Sequence, residues 1–250
     1  MKIKEPVFLT VVLFFILIPL TNLYAEEVFT LPTLGCMLEP SEKVQISSPV
    51  SGVLGRVLVK RGDRIKKGNI LFQLKADVEK EGVELARVRA EFAKRKAERN
   101  KNLYDDDILT LHERDEIETE LLIASSELRL KQQELELRTV YSPINGVVVN
   151  RLKNTGEYVN IDPIMDLATL DPLHVDLLLP ASYFGQISIK QKLMIKPESE
   201  LIDGHMAHVI IVDPLIDSAS GTFRVQLEMS NQGNKVPAGL PCTAQLIPTP

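Results

Sequence analysis

The hydrophobic and polar positions of this chain change period several times. Residues 7–20 are an almost unbroken apolar run. Residues 44–74 alternate short β-rich stretches with turn chemistry: Ser48-Pro49 and Ser51-Gly52, then Lys60-Arg61-Gly62-Asp63, then Lys67-Gly68-Asn69. Residues 76–139 lose that rhythm. They hold no proline and one glycine, Gly82, and are dominated by Glu, Leu, Arg, Lys and Ala, all good helix formers. Their apolar positions step by threes and fours, through Val78, Leu85, Val88 and Phe92, then Ile117, Leu121, Ala124, Leu128 and Leu135. So narrow a seam predicts two arms zipped in coiled-coil fashion. Asp105-Asp106-Asp107 ends the first arm, and Thr110 with Glu113 three residues on forms a capping box for the second. The predicted element is an antiparallel helical hairpin with arms of about 29 residues, or about 43 Å at 1.5 Å per residue.

Residues 141–170 return to strands and turns, and they copy what precedes the hairpin. SPVSG at 48–52 is matched by SPING at 142–146. At the same offset, without a gap, Val53 faces Val147, Leu54 faces Val148, Gly62-Asp63 faces Gly156-Glu157, and Ile70-Leu71 faces Ile164-Met165. Two copies do not make a solenoid. They make one small domain of two similar halves that hide each other's apolar faces, with the hairpin inserted between them. Pro49, Gly52 and Gly62 mark the turns of the first half, and Pro143, Gly146 and Gly156 those of the second. Beyond residue 170, short strands at 174–179, 193–197, 208–212, 223–229 and 240–247, with a helical turn or two in 180–187, predict a small β-barrel. The expected class is α+β, mostly β. The expected divisions are a leader at 1–25, an extended segment joining the barrel at 26–46, half one at 47–75, the hairpin at 76–139, half two at 140–170 and the barrel at 171–250.

Composition narrows the function. The 250 residues carry a net charge of −5, no Trp and few other aromatics, so neither a basic stripe nor a stacking platform for nucleic acid is present. Lys2 and Lys4, the apolar run and Leu23-Tyr24-Ala25 before Glu26 read as a secretory signal cleaved after Ala25. An uncleaved anchor is the alternative, although the run is shorter than the ~20 residues of a membrane span. The two cysteines, Cys36 and Cys242, permit either a disulfide or two separate buried thiols, and neither has a CxxC partner or a neighbouring histidine. His205 and His208 flank Met206 in an HMAH stretch whose ligand types suit copper or silver; the plainer reading is two polar residues beside a strand. The strongly polar residues 94–102 are either a solvated helix face or a face that meets other copies or a partner. No nucleophile motif, phosphate loop or paired-carboxylate site appears, so neither catalysis nor a cofactor is expected.

The half-motifs SSPVSGVLGRVLVKRGDRIKKGNILFQL and TVYSPINGVVVNRLKNTGEYVNIDPIMDLATL flank the helical insert. The stretches VDPLIDSASGTFRVQLEMSN and VPAGLPCTAQL follow. Together they resemble the periplasmic adaptor subunits, or HlyD-like membrane fusion proteins, of efflux and secretion machines, over about residues 39–247. The resemblance implies a split biotinyl/lipoyl-like β-sandwich, an inserted α-helical hairpin and a β-barrel. It also implies a periplasmic, inner-membrane-associated homo-oligomer, a hexamer by analogy, that bridges an inner-membrane transporter to a TolC-like outer-membrane channel. Proton-driven resistance–nodulation–division (RND) pumps rank ahead of ATP-driven (ABC) exporters or type I secretion systems as its transporter.

In RNKNLYDDDILT, Arg99, Leu103 and Thr110 match the Arg, Leu and Ser that many channel-docking members carry at the hairpin tip, with Thr in place of Ser. There the guanidinium bonds channel carbonyls or carboxylates, Leu supplies apolar contact and the hydroxyl caps the returning helix; closing and capping the tip alone is the plainer role. Full-length adaptors usually carry a further membrane-proximal domain. It is expected here to be reduced to residues 26–38 or missing, leaving the barrel to meet the transporter. The resemblance also brings the ends of the barrel segment together, so a Cys36–Cys242 bridge and two free thiols stand as equal alternatives. Two remote readings remain: a biotin or lipoyl carrier, for which Lys75 sits at the junction but lacks a tight turn to present it, and a periplasmic metal-binding protein using His205 and His208.

Overall fold

The structure is a computed structural model, and it describes residues 29–105 and 110–246. The expected signal segment and its cleavage point lie outside the described residues. In chain order the elements are β1 (Phe29–Thr30), β2 (Gly35–Ser47), β3 (Gly52–Val57), β4 (Arg64–Ile65), β5 (Ile70–Leu74), α1 (Asp77–Asp105), α2 (Leu111–Glu136), β6 (Thr139–Tyr141), β7 (Gly146–Arg151) and β8 (Tyr158–Val159). They continue with β9 (Pro163–Pro180), a 3₁₀ turn (Ala181–Tyr183), β10 (Lys192–Pro197), β11 (His205–Val212), β12 (Thr222–Met229) and β13 (Cys242–Leu246). The class is mostly β with two helices. Among the described residues no helix is long and apolar enough to cross a membrane.

The two halves of the repeat are laced through each other. Gly62 N donates to Val148 O and Val148 N to Asp63 O; in the mirrored positions Gly156 N donates to Leu54 O and Leu54 N to Glu157 O. Strand β4 pairs with β7 of the other half, and β3 pairs with β8. Each half therefore completes its sheet with the other's backbone, which is what a half that cannot bury its own apolar face requires. Leu54, Leu71, Phe72, Val148, Val159, Ile164 and Met165 form the shared core. The buried Ser48 and Ser142 hydroxyls donate to Val50 O and Ile144 O, so both Ser-Pro turns are held the same way.

A second core lies around β9–β13 and the first part of β2, with Leu38, Leu173, Val175, Leu177, Leu193, Val225 and Leu227 at its centre. Strands β2 and β9 run antiparallel from one core into the other, from Gly35↔Leu178 to Ser47↔Pro163. The step from residue 170 to 171, expected to part the second half from the barrel, thus lies inside β9. Asn231, only 3% exposed, fastens this crossing. Its backbone N–H donates to Asp171 Oδ1, its amide donates to Leu170 O and Val236 O, and its Oδ1 accepts from Val236 N. Arg64 reaches from the first half to Gly233 O in the same loop.

The expected barrel is corrected in one respect: its ladder does not close. The strand path runs β1–β13–β10–β11–β12–β9, with β2 also on β9. The N-terminal strand changes neighbour partway. Phe29 and Thr30 pair with β13, Leu31 N donates to Ala244 O, and by Leu34 the backbone bonds Leu178 of β9 instead. Among the described residues, β2 is joined to the segment entering β13 by an isolated Met37–Pro241 bridge and by hydrogen bonds between Leu38 and residues 239–240. The Cys36–Cys242 disulfide staples this seam across a sequence separation of 206.

Candidate partner-binding surfaces

The hairpin leaves the body between β5 and β6, and its root is fixed by Arg138. That guanidinium donates to Ser51 O at 2.8 Å and to Glu79 Oε1 of α1 at 2.6 Å, with both side chains largely buried. It therefore ties both helices to the first-half turn. Gly52 makes room for it, since a Cβ there would stand 2.7 Å from the Arg138 Nη1. Gly146 answers a different need: a Cβ would stand 2.2 Å from Ala168 O of β9. Gly62 and Gly156 lie at φ +89° and +93°, the left-handed region that favours glycine. Pro49 and Pro143 are exposed at the two Ser-Pro turns. Neither Arg138 nor Asn231 stood out in the sequence, because an isolated Arg or Asn in a loop announces no partner; only the fold brings Glu79, Ser51 and Asp171 to them.

Along the hairpin the helices run antiparallel, with Arg89 on Glu127 and Lys96 on Glu120 setting their level. On α2 the seam lies where the period predicts it, with Leu121 and Leu128 packed against buried Ala124. On α1 it does not. The buried residues are Ala86, Ala90 and Ala93, whereas Val78, Leu85, Val88 and Phe92 are exposed, Val78 by 81% and Phe92 by 53%. The reason is complementary size: small residues on α1 let the larger side chains of α2 close in. The larger side chains of α1 are turned to a broad face of the hairpin. There Val88, Phe92 and Ile123 line an open groove of about 860 Å³.

At the tip, Thr110 caps α2 with a complete capping box. Its hydroxyl accepts from Glu113 N, and its own backbone N–H donates to the Glu113 carboxylate. That backbone N–H, followed by the Thr110 hydroxyl, holds the Glu113 carboxyl below the usual carboxylate range. Arg99 is exposed on α1. The backbone of Leu103 is helical, and its side chain lies outside the described residues. The structure thus places Arg99 and Thr110 on the two arms near the tip, without showing a partner for them.

On the barrel, His205 and His208 do not converge. Three positions apart on β11, they point to opposite sides of the strand. His205 shares its side with buried Ala207 and Val209; exposed His208 places Nε2 3.6 Å from Glu228 Oε1. No group of three or more His, Cys, Asp or Glu that could hold a metal occurs among the described residues. Arg224 is exposed on β12 beside the stapled seam, where it lines a shallow cleft with Leu34, Leu178 and Glu198.

No protein-family model matches the chain. An uncharacterized protein of Haemophilus influenzae is 22% identical over 82% of this chain and 54% of its own length. The antibiotic efflux pump periplasmic linker protein ArpA of Pseudomonas putida is 26% identical over 53% of this chain and 37% of its own length. The chain therefore spans about half or less of the relatives it matches. Among solved structures, a MacA–MexA chimera carrying the Pseudomonas aeruginosa MexA α-hairpin domain superposes with a TM-score of 0.75 at 19% identity, over 88% of this chain and 81% of that one. The membrane fusion protein Spr0693 of Streptococcus pneumoniae gives 0.69 at 14% identity, over 86% and 99%. The chain has the fold of the membrane fusion proteins and is similar in sequence to periplasmic efflux linkers.

Proposed function

We propose that this chain is a periplasmic adaptor of a tripartite efflux system, non-catalytic, linking an inner-membrane transporter to a TolC-like outer-membrane channel. One observation carries the reading. The helical hairpin is rooted by the Arg138–Glu79–Ser51 contacts in the two-half body, while the β1–β13 pairing of Phe29 with Leu246 belongs to the sheet around the other core, beyond the Gly35↔Leu178 end of the long β2–β9 pair. Such a molecule offers two separated ends for partners. In this reading the two halves form a split lipoyl-like domain at 47–75 and 140–170, 76–139 is the hairpin, and the stapled sheet from 171 onward is the barrel-like end that meets the transporter. The tip residues Arg99, Leu103 and Thr110 meet the channel. Periplasmic residence follows from the leader expected at 1–25 and agrees with a disulfide, which persists in oxidising compartments. The transporter is an RND pump, and several copies of the adaptor assemble around it.

Photo-crosslinking in cells tests this. With the crosslinker at Leu103, the expected catch is an outer-membrane channel; with it at Arg224, an inner-membrane transporter of the RND class. Capture of an ATP-driven exporter from position 224 would keep the bridge and replace the energy source. If both positions capture only soluble proteins, the bridging reading is wrong.

A further inference from the structure

The repeat carries its own control. Residues 60–67 of the first half read KRGDRIKK, and the residues that face them in the second half, 154–161, read NTGEYVNI. What the turn needs is kept. Gly62 and Gly156 hold the left-handed backbone, Asp63 and Glu157 each accept the backbone N–H three residues earlier, and Ile65 and Val159 are buried. What differs faces solvent. Lys60, Arg61, Arg64, Lys66 and Lys67 are all exposed, and so are Asn154, Thr155, Tyr158, Asn160 and Ile161 in their places. Five cations stand against none, so the fold does not require the charge. Edge protection does not account for it either. Strands β4 and β8 each end the strand order of their sheet, and charge on a free edge would serve both alike.

The same five cations are left unneutralised. Many cations of the hairpin pair with carboxylates, as Arg87 does with Glu84, Lys96 with Glu120 and Lys131 with Glu134. None of the five in the turns has an ion-pair partner among the described residues. Arg64 donates instead to the backbone Gly233 O. The whole chain carries −5, so this is a basic patch on an acidic protein. Nor is the patch purely charged. The second turn is bonded to Ser142 through Gly68 N and Asn69 O, which sets it beside Ile70 and Tyr141, cross-strand partners that are both exposed. At the place of Ile70 the second half buries Ile164 completely. Arginine and lysine around an exposed tyrosine and isoleucine suit a protein contact better than a merely solvated turn.

Position says which kind of partner. Through β4 and β7 the turns lie level with Ala168 of β9. At about 3.3 Å per residue, the strand from Ala168 on to its end at Pro180 spans about 40 Å. In the adaptor reading that far end of the body faces the transporter and the bilayer. A bilayer there lies several Debye lengths, each about 8 Å, from the turns, too far for lipid headgroups to attract them. A transporter whose periplasmic portion rises beside the body does reach them. We infer that the basic turns at 60–67 are a second contact with the transporter, a shoulder that receives an Asp- and Glu-bearing surface about 40 Å from the barrel-like end. This deepens the adaptor reading and rests on it.

The test is made in cells with the full chain. A photo-crosslinker at position 67 should capture the same transporter as one at position 224, and mass spectrometry should place the linkage in an Asp- and Glu-rich stretch of its periplasmic portion. At the facing position 161 the same crosslinker should capture no transporter. Lys60→Asn, Arg61→Thr, Lys66→Asn and Lys67→Ile, made together, install residues that the second half already carries in the same turns, so circular dichroism should be unchanged. This variant should lower capture from position 224 by at least about tenfold, as loss of several steering charges does. Flotation with vesicles of phosphatidylethanolamine and phosphatidylglycerol should show no binding that the four substitutions abolish. The inference is overturned if position 67 captures only a second copy or no transporter while position 224 captures one, or if position 161 captures it equally. It is overturned too if the variant leaves capture from position 224 unchanged, or if the vesicles bind through the four residues. In each of these cases transporter captured from position 224 of the wild type leaves the adaptor reading standing. No transporter from either position removes both.

Discussion

The body and the hairpin are built on opposite plans. The body buries large aliphatic and aromatic side chains completely: Phe72, Leu54, Leu71 and Ile164 between the halves, and Phe223, Leu177 and Leu193 within the stapled sheet. Among its described residues the hairpin buries little besides the alanines Ala86, Ala90, Ala93 and Ala124 and leaves Leu85, Phe92, Ile123 and Leu130 in solvent. Burying a large apolar side chain is worth roughly 1.5–3 kcal/mol, and an alanine gives far less. The body therefore supplies its own stability. The hairpin takes its own from helix propensity, ion pairs and its root, and leaves its larger apolar residues exposed. That surplus fits the proposed reading, in which the hairpin is the part that meets partners.

The sharpest way to break the comparison is to cut the staple. A Cys36→Ser, Cys242→Ser double variant loses a cross-link that closes a loop of 206 residues. In the chain-entropy account that costs about 5 kcal/mol, and native disulfides in small domains typically cost about 2–5 kcal/mol. Denaturant unfolding followed by fluorescence of the body tyrosines should show a large loss, concentrated where β1 and β2 meet β13. A loss under about 1 kcal/mol would mean that the Met37–Pro241 bridge and the β1 pairing hold the seam unaided.

A matched pair of phenylalanines tests the plans directly. Phe72→Ala removes a ring that is 0% exposed from the core shared by the two halves, and should cost about 3–5 kcal/mol. Phe92→Ala removes a ring that is 53% exposed on the hairpin, and in the dilute monomer should change stability by no more than about 0.5 kcal/mol. Chemical denaturation of both, at concentrations too low for association, checks this. Comparable losses would show that Phe92 packs against its own chain and that the hairpin is more self-sufficient than its exposed stripe implies.

What the sequence could tell follows the same division. The repeat was legible because its signals are local: Ser-Pro, Gly-Asp and Asn-Gly turns fix backbone geometry within a few residues, wherever the rest of the chain goes. The capping box was legible for the same reason. The seam of α2 could be read because its large apolar residues face inward. That of α1 could not, because alanine carries the contact, and alanine is equally at home on any helix face. The lengths of β2 and β9 were hidden too. Each crosses from one core to the other, and the break in alternation at Asp171-Pro172 reads as a boundary in a strand that continues through it. The lacing of β3 with β8 and β4 with β7, the Arg138 root and the Asn231 clasp depend on residues distant in sequence, and no local pattern encodes such meetings.

The smallest effect distinguishes a turn held by local bonds from one held by the body. Glu113 at the hairpin tip and Glu157 in the second half use one device, a carboxylate accepting a backbone N–H three residues earlier, from Thr110 and Asn154 respectively. In both cases that bond is the main reason the carboxyl lies below its usual range. A carboxyl depressed in the folded state contributes stability that is fully present above its unfolded value, near 4.3, and lost as pH falls through the lower folded value. The consequences should differ. Around Glu157, Gly156 N and Glu157 O are bonded to Leu54 of the other half, so the turn should persist when the carboxylate is neutralised. Around Glu113 the capping box is the main tie, so the first turn of α2 should fray. Amide hydrogen exchange measured from pH 5 down to pH 3, corrected for intrinsic rates, should show protection falling at residues 110–114 while residues 154–157 hold. Glu113→Gln should remove most of the pH dependence at the tip, because the neutral amide oxygen still accepts the Thr110 N–H but no longer titrates. If both turns lose protection together, the body contributes no more to its loops than the hairpin does to its own, and the division between the two plans stops at their cores.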